Sequence, residues 1–414
     1  MYKYIIIGAG AAGLFLGALT SAEGNGVILE AGSEPGRKIL LSGGGRCNFT
    51  HAGDIRDFPD RYGASGRKVR SALYKFNNSE VRRFFRAHGI ESYVNEEGRV
   101  FPKSDRAADI RDLLLSLCGK NGWEIRTDTQ ITQIGQCEGG YFLNGGAAGR
   151  MSRNGGAFET ENLIVATGSG AFKGFGAGRG MQNLLSGLGI QTVPLKPALV
   201  PVRIAGYAFA GNPFDGLSGI SLSDVHVRVL DGKTGKKPAE GRGPMVFTHS
   251  GLSGPVILNL SGQMGSGTVL ELALTRVEMP DARGEQKNLL HFLENQTGLP
   301  QRVLERVIRI AGAEPGEKAS SVSGGRLAAI YKMLRGFRVR VEDTLGMDAA
   351  MAASGGVSLK AVSTGSFEVK GFPGLFVIGE ALDVVGESGG YNLQFAFSSA
   401  AAVSRELKKR AEAV

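Results

Sequence analysis

The sequence predicts an α/β fold in which a doubly wound parallel sheet is split by a β-rich insertion. Three observations predict it. A short β-branched strand at the N-terminus runs straight into a glycine-rich turn and an apolar helix. The same strand, glycine and helix texture returns over the last seventy residues. Between them, from Gln191 to about Asp343, prolines at 194, 197, 201, 213, 244 and 255 punctuate alternating strands such as Val225 to Val229. The length of 414 residues fits more than one core, because single cores stop growing at roughly 250–300 residues. The expected division is 1–190 with 344–414 as one discontinuous domain and 191–343 as the insert, with a helical portion at about 285–335.

Tyr4 to Ile7 is the kind of apolar run that fills a strand buried on both faces. The turn that follows, Gly8, Ala9, Gly10, Ala11, Ala12 and Gly13, fits the pattern GxGxxG, and Leu14 to Leu19 reads as a helix. Gly8 permits the tight turn, Gly10 lets backbone approach a pyrophosphate, and Gly13 lets helix lie close on strand. A second strand, Gly26 to Leu29, ends in Glu30, 17 residues beyond Gly13; an acid roughly 20 residues on accepts hydrogen bonds from an adenosine ribose. Together these define a Rossmann-like dinucleotide site that prefers an unphosphorylated ribose.

A second constellation runs from Pro35 through Arg37 and Lys38 to Ser42, Gly43, Gly44, Gly45, Arg46, Cys47 and Asn48. Three successive glycines expose a row of N–H groups and the cations add positive charge, which suits a pyrophosphate and an electron-rich ring. A site for a nicotinamide dinucleotide alone has no use for this loop, so FAD is the expected cofactor. Farther on, helices are expected over Ser79 to His88, with Ser79 as cap, and over Ala107 to Leu117. Trp123 to Thr127 and Gln130 to Ile134 alternate like half-exposed strands, and Asn162 to Ala166 returns to a buried one that ends at Ala166, Thr167 and Gly168. In the insert, Leu289 to Leu293 and Val303 to Ile310 carry helical spacing. Near the C-terminus, the strand Leu375 to Ile378 leads to Gly379 and Glu380. There Gly389, Gly390, Tyr391, Asn392, Leu393 and Gln394 open a helix over Phe395 to Leu407. The positive end of that helix would stabilise negative charge on a reduced flavin, and Glu380 would bond its ribityl chain.

With both ends read, the chain resembles the BaiN-like, aminoacetone oxidase-type family of FAD-dependent oxidoreductases. The resemblance spans most of the chain. It rests on Gly8 to Gly13, Gly36 to Lys38, Ser42 to Thr50, Phe247 to Pro255, Ser354 to Val357, Gly379 with Glu380, and Gly389 to Gln394. It implies a Rossmann-like FAD-binding domain of glutathione-reductase type, with a β-barrel and a small helical subdomain in the insert. It places FAD against Gly8, Gly10, Ala11, Ala12, Gly13, Glu30, Ala31, Arg37, Lys38, Ser42 to Asn48, Ile131, Ala166, Thr167, Gly168, Gly379, Glu380, Gly390, Tyr391, Asn392 and Leu393. Thr248 and His249 become candidates for the substrate side, since a histidine's near-neutral pKa suits proton transfer, although a histidine in such a place is more often a hydrogen-bonded structural one. Related chains carry an acid after the Ala-Thr-Gly triplet where this one has Gly178, Arg179 and Gly180, which makes Arg179 a candidate for a phosphate or carboxylate.

The expected chemistry is hydride transfer between flavin N5 and a small organic substrate or NAD(P)H, the nicotinamide binding transiently; oxygen is the other electron acceptor that stays open. Cys47, Cys118 and Cys137 have no metal or disulfide spacing, which points to a reducing cytoplasm and no metal. Cys47 has no second sulfur nearby for a thiol relay, so it either tunes the flavin or is a packed thiol. No run of 18 apolar residues and no signal peptide is visible, so neither a membrane span nor export is expected. The net charge of +9 reads as a solvated basic surface or as the footprint of an anionic partner. Basic runs at Arg67 and Lys68, Arg70, Arg82, Arg83 and Arg86, and Lys408 to Arg410 leave open a flavin-bearing RNA- or protein-binding module without turnover. Only scattered aromatics accompany them, so the sequence disfavours nucleic acid.

Overall fold

The computed structural model describes residues 1–146, 157–171, 178–206, 214, 216–230 and 239–413. The chain divides into two compact units, Met1–Lys196 with Ala352–Val414, and Pro197–Met351.

The first unit is built on a sheet whose centre is parallel. Strand β1 (Tyr2–Ile7) pairs with β2 (Gly26–Leu29) on one side and with the strand Ala157–Val165 on the other. The sheet continues to Trp123–Arg126 beyond β2 and to Leu375–Val377 beyond Ala157–Val165. Ile5, Ile6, Val27, Ile28, Leu163 and Ile164 are fully enclosed, which is why these strands read as continuous apolar runs rather than alternating ones. Gln130–Cys137 and Gly140–Gly146 form an antiparallel hairpin that joins the sheet through Ala157–Val165.

Helix α1 (Ala11–Leu19) starts directly after Gly10, three residues before the position read from its apolar spacing. The segment expected as a loop after Gly36 is partly helical: α2 (Arg37–Leu41) is followed by a 3-10 turn at Ser42–Gly45. Next come α3 (Gly66–Lys75) and α4 (Asn78–Ala87). Asn77, not Ser79, caps α4, its side chain accepting from the Glu80 N–H. The helix expected over Phe395 to Leu407 extends over Tyr391–Glu412, starting at the glycine pair itself.

The second unit holds a closed six-stranded antiparallel barrel formed by Val202–Ile204, Gly251–Ser253, Glu240–Phe247, Ser221–Leu230, Val269–Ala273 and Phe337–Thr344, in that order. Closure removes the free edges that an open sheet of this size would expose. Helices Leu289–Thr297, Gln301–Ile310 and Gly324–Gly336 add Leu293, Leu304, Ile308 and Ile330 to the same core as the barrel's Val225, Val227 and Leu272.

Candidate functional site: a glycine-lined cradle

The ends of β1, β2 and the strand Ala157–Val165 converge where the glycines lie. Gly8 sits at φ 105°, and a Cβ there would press on the Ala166 carbonyl at 2.5 Å. At Gly13 a Cβ would collide with the Gly8 carbonyl, so α1 rests directly on the turn. Gly10 is different, because a Cβ there would meet nothing within 4 Å. Its bare Cα faces open space at the start of α1, a helix with no side-chain cap and no acid in its first turn. The first N–H groups of α1 therefore point into that space without a protein acceptor. Gly10→Ala is expected to leave the unfolding of the apoprotein unchanged and to weaken FAD binding at least tenfold, as titration of fluorescence quenching would measure; equal affinity would place the pyrophosphate elsewhere.

Glu30 bounds the same turn, its carboxylate accepting from the Ala9 N–H at 2.8 Å and from the Gly32 N–H at 2.9 Å. Ala31 follows it at the strand end. The Thr129 N–H donates to the Glu30 carbonyl, which brings the hairpin strand carrying Ile131, a buried residue, alongside. Lys38, on α2, ties three segments together. Its ammonium lies 3.2 Å from Glu380 Oε2 and 3.3 Å from the Ser169 carbonyl just beyond Gly168, and Glu380 Oε1 accepts from the Ala353 N–H. A Cβ on Gly379 would meet Ala12 Cβ at 2.8 Å. The two chain ends thus meet at one place.

The turn Ser42–Gly45 places Gly43, Gly44 and Gly45 at positive φ, with open space beside Gly44. Ser42 donates to the Ile39 carbonyl, and the Ser42 carbonyl accepts the Cys47 N–H. Arg46 stacks on Phe101 at 4.5 Å. Cys47 is fully buried at φ 60°, and burial pushes its thiol up to about 12. Cys118 is pushed to about 12 for the same reason. Both folded pKa values stand above the unfolded 9.0. The folded state therefore holds these protons more tightly: the stability they contribute is full below about pH 9 and is lost as pH rises towards about 12. Urea midpoints are expected to fall over that window, and maleimide at pH 8 should label the half-buried Cys137 but not the other two.

The N-terminus of the C-terminal helix closes the site. Gly390 sits at φ 100°, where a Cβ would collide with the Thr50 carbonyl and lie 2.9 Å from Asn48 Oδ1. No side chain caps this helix. Buried Thr50 donates to Gln394 Oε1 at 2.5 Å, and Gln394 Nε2 donates to the Phe76 carbonyl and to Ser398. Thr50 and Gln394 lie inside motifs that sequence reasoning recognised, but neither was expected among the site residues; a buried polar type inside each motif is the signal that could have marked them.

Two buried polar atoms here, Asn48 Oδ1 and Thr167 Oγ1, have no protein partner. With two uncapped helix starts and the open face at Gly10, they form a lining of unsatisfied donors and acceptors such as a dinucleotide with a flavin ring would engage. The residues present fit that group.

Some expected site residues point elsewhere. The Tyr391 ring is core, stacked on His51 at 5.1 Å and set against Phe58 and Tyr62, with its carbonyl accepting from Tyr62 Oη. Asn392 is spent on both backbone groups of Gly386, and Leu393 packs on the core. Only their backbone N–H groups are left for a ligand. In the second unit, Thr248 bonds back to Gly251 across the turn after Glu240–Phe247, and His249 is exposed there. The Arg179 side chain lies outside the described residues. Among the described residues no group of three or more His, Cys, Asp or Glu is arranged to hold a metal, and no helix is long and apolar enough to cross a membrane.

A parallel sheet with an uncapped glycine turn, an acid at the end of the next strand and a second glycine-lined helix start from the far end of the chain defines a flavin-dependent Rossmann-type oxidoreductase. The chain belongs to the HI0933-like family, whose Rossmann-domain description matches residues 2–406. The family is one of FAD-dependent reductases, and this chain is an enzyme of that class. It is 32% identical to the ribosomal RNA dihydrouridine synthase of Escherichia coli K12 over 98% of both chains. It is 27% identical to the 3-dehydro-bile acid delta(4,6)-reductase of Clostridium scindens over 99% of this chain and 100% of that one. Among solved structures, 3-ketosteroid-delta4-(5alpha)-dehydrogenase of Rhodococcus jostii RHA1 is similar in fold, with a TM-score of 0.50, 15% identity and 97% of each chain covered.

Proposed function

We propose that this enzyme holds FAD in the glycine-lined cradle and saturates the C5–C6 double bond of a uridine in ribosomal RNA. The observation that carries this reading is the end-to-end likeness to a ribosomal RNA dihydrouridine synthase, joined to a cradle whose unsatisfied groups fit a flavin dinucleotide. The basic run at Arg67, Lys68 and Arg70, which the sequence held against scattered aromatics, suits such a polyanionic substrate. Bound in the cradle, a flavin would supply the hydride chemistry between a nicotinamide donor and the substrate carbon.

The chain's own residues then divide the remaining work. The N–H groups at the start of α1 and the bare Gly10 receive the pyrophosphate. Glu30, pinned by the Ala9 and Gly32 N–H groups, turns its remaining lone pairs to the adenosine ribose. Lys38 and Glu380 fix the ribityl side, and Asn48 with Thr167 meets polar edges that burial would otherwise leave unpaired. The uncapped start of the C-terminal helix offers positive potential that would stabilise a reduced, negatively charged ring held there. Saturating the bond adds one hydride and one proton, and His249 is the proposed proton donor, with Thr248 holding its turn.

A second reading, reduction of a conjugated double bond in a small polycyclic ketone, is favoured by the likeness to the bile acid reductase. One experiment separates them. The yellow protein is reduced anaerobically with NADH or NADPH and mixed with unmodified ribosomal RNA made by transcription in vitro, or with a steroid dienone. Reoxidation by RNA, with uridine gaining the mass of two hydrogens, is the expected result. Reoxidation by the dienone alone selects the second reading, and a protein that takes up no flavin overturns both.

A further inference from the structure

Helix α3, Gly66–Lys75, carries Arg67, Lys68, Arg70 and Lys75 and not one acid. All four cations are exposed, and none forms an ion pair with a described residue. Several other arginines of the same unit are neutralised: Arg56 by Asp54, Arg61 by Glu387, Arg83 by Glu80, and Arg410 by both Glu368 and Glu406. Two of the α3 cations stand in its first turn, at the positive end of the helix dipole, where an acid would be the stabilising choice. Arg67 and Arg70 also repel one another at i, i+3. Lys75 suits the last turn, but local stability argues against the cations of the first turns, which marks them as serving something outside the helix.

The geometry suits a polyanion with bases. Val69, Ala72 and Leu73 turn inward, leaving Arg67, Arg70 and Tyr74 in one outward row and Lys68, Ser71 and Lys75 in the next. From residue 67 to 75 the rows run about 12 Å at 1.5 Å per residue. Tyr74 is 41% exposed in the midst of the cations. An aromatic face among positive charges is the pairing that binds single-stranded nucleic acid, through phosphate contacts and base stacking.

Both ends of α3 are fastened to the segment that forms the flavin side of the cradle. Ser65 donates to the Asp383 carbonyl at 3.1 Å, and the Phe76 carbonyl accepts from Gln394 and Ser398. The two ends of α3 are thereby fixed against the first turns of the C-terminal helix and the segment that precedes it. We propose that the outward face of α3, with Tyr74 as its stacking residue, is the surface on which the RNA docks. This rests on the ribosomal RNA reading above and adds where that RNA is held.

The test compares three proteins, each checked for flavin content and unfolding midpoint, in binding unmodified ribosomal RNA transcribed in vitro across a salt series. Arg67→Gln with Lys68→Gln and Arg70→Gln is expected to weaken binding at least tenfold. It should also flatten the plot of log affinity against log salt by about 2, since each contact to a single strand contributes roughly 0.7. Tyr74→Ala is expected to weaken binding about tenfold with the salt slope kept, in line with the usual contribution of a stacked base. Lys408→Gln with Lys409→Gln, at the far end of the C-terminal helix, should bind like wild type. If the triple variant binds like wild type, or the far-end pair loses as much affinity, α3 is not the docking surface. Wild-type protein that neither binds RNA nor forms dihydrouridine overturns the ribosomal RNA reading along with it.

Discussion

A Gly390→Ala protein is expected to purify colourless and to fail to recover flavin on incubation with FAD. At φ 100° an alanine is strained by about 1–3 kcal/mol. The larger effect is steric: its Cβ enters the Thr50 carbonyl and comes within 2.9 Å of Asn48 Oδ1. Neither neighbour can retreat easily, because Thr50 is bonded through its backbone to Val100 in the strand pair and through its side chain to Gln394. The helix start must lift away from the loop carrying Cys47 and Asn48, which opens the cradle beside Asn48. Gly389→Ala is the matched control. It also sits at positive φ, 125°, but its Cβ would meet only the Tyr391 ring at 3.5 Å and the His51 ring at 3.9 Å, both ordinary contacts, so it should retain most of its flavin. The ratio of flavin to protein absorbance reads both, and a fully yellow Gly390→Ala protein would separate the helix start from the cofactor.

Gln394→Leu is expected to cost about 2–4 kcal/mol of stability, because buried polar groups that lose their partners each cost about 1–3 kcal/mol. Thr50 loses its acceptor, and the Phe76 carbonyl keeps only Ser398. Gln394 is wholly enclosed, so water has no direct route to replace it. Denaturant unfolding followed by far-UV circular dichroism measures the loss. Gln394→Glu distinguishes hydrogen bonding from shape: its carboxylate can still accept from Thr50 but cannot donate to Phe76, and that protein should regain stability as pH falls and the acid protonates.

Much of the cradle was legible because it depends on local chemistry. Gly8, Gly10 and Gly13 are needed where backbone turns, approaches a ligand or packs on itself, and those needs write a spacing into the chain. The enclosed strands were legible for a similar reason, as uninterrupted apolar runs bounded by glycine. What stayed hidden depends on distant partners. Gln394 bonds Phe76, 318 positions away in sequence, and no spacing rule couples them. Tyr391 stands inside a recognisable motif, yet the direction of its ring is decided by His51, Phe58 and Tyr62, which only the folded chain brings together. The cap of α4 was misplaced because Asn77, Asn78 and Ser79 all suit the position. Asn78 instead donates to the carbonyls of His51 and Gly53, which leaves Asn77 to cap.

The strand Ala157–Val165 pairs in parallel with Leu375–Val377, a neighbour that leaves the ribosome only after the whole second unit. At roughly 5–20 residues per second of synthesis, that interval lasts on the order of 10–40 seconds. For that time the nascent chain presents Leu163, Ile164 and Val165 as a bare apolar margin able to zip onto a foreign polypeptide. Birth of this enzyme therefore includes a window of vulnerability, and holding chaperones that shield such margins matter more to its yield than they would for a chain whose sheet closes as it emerges.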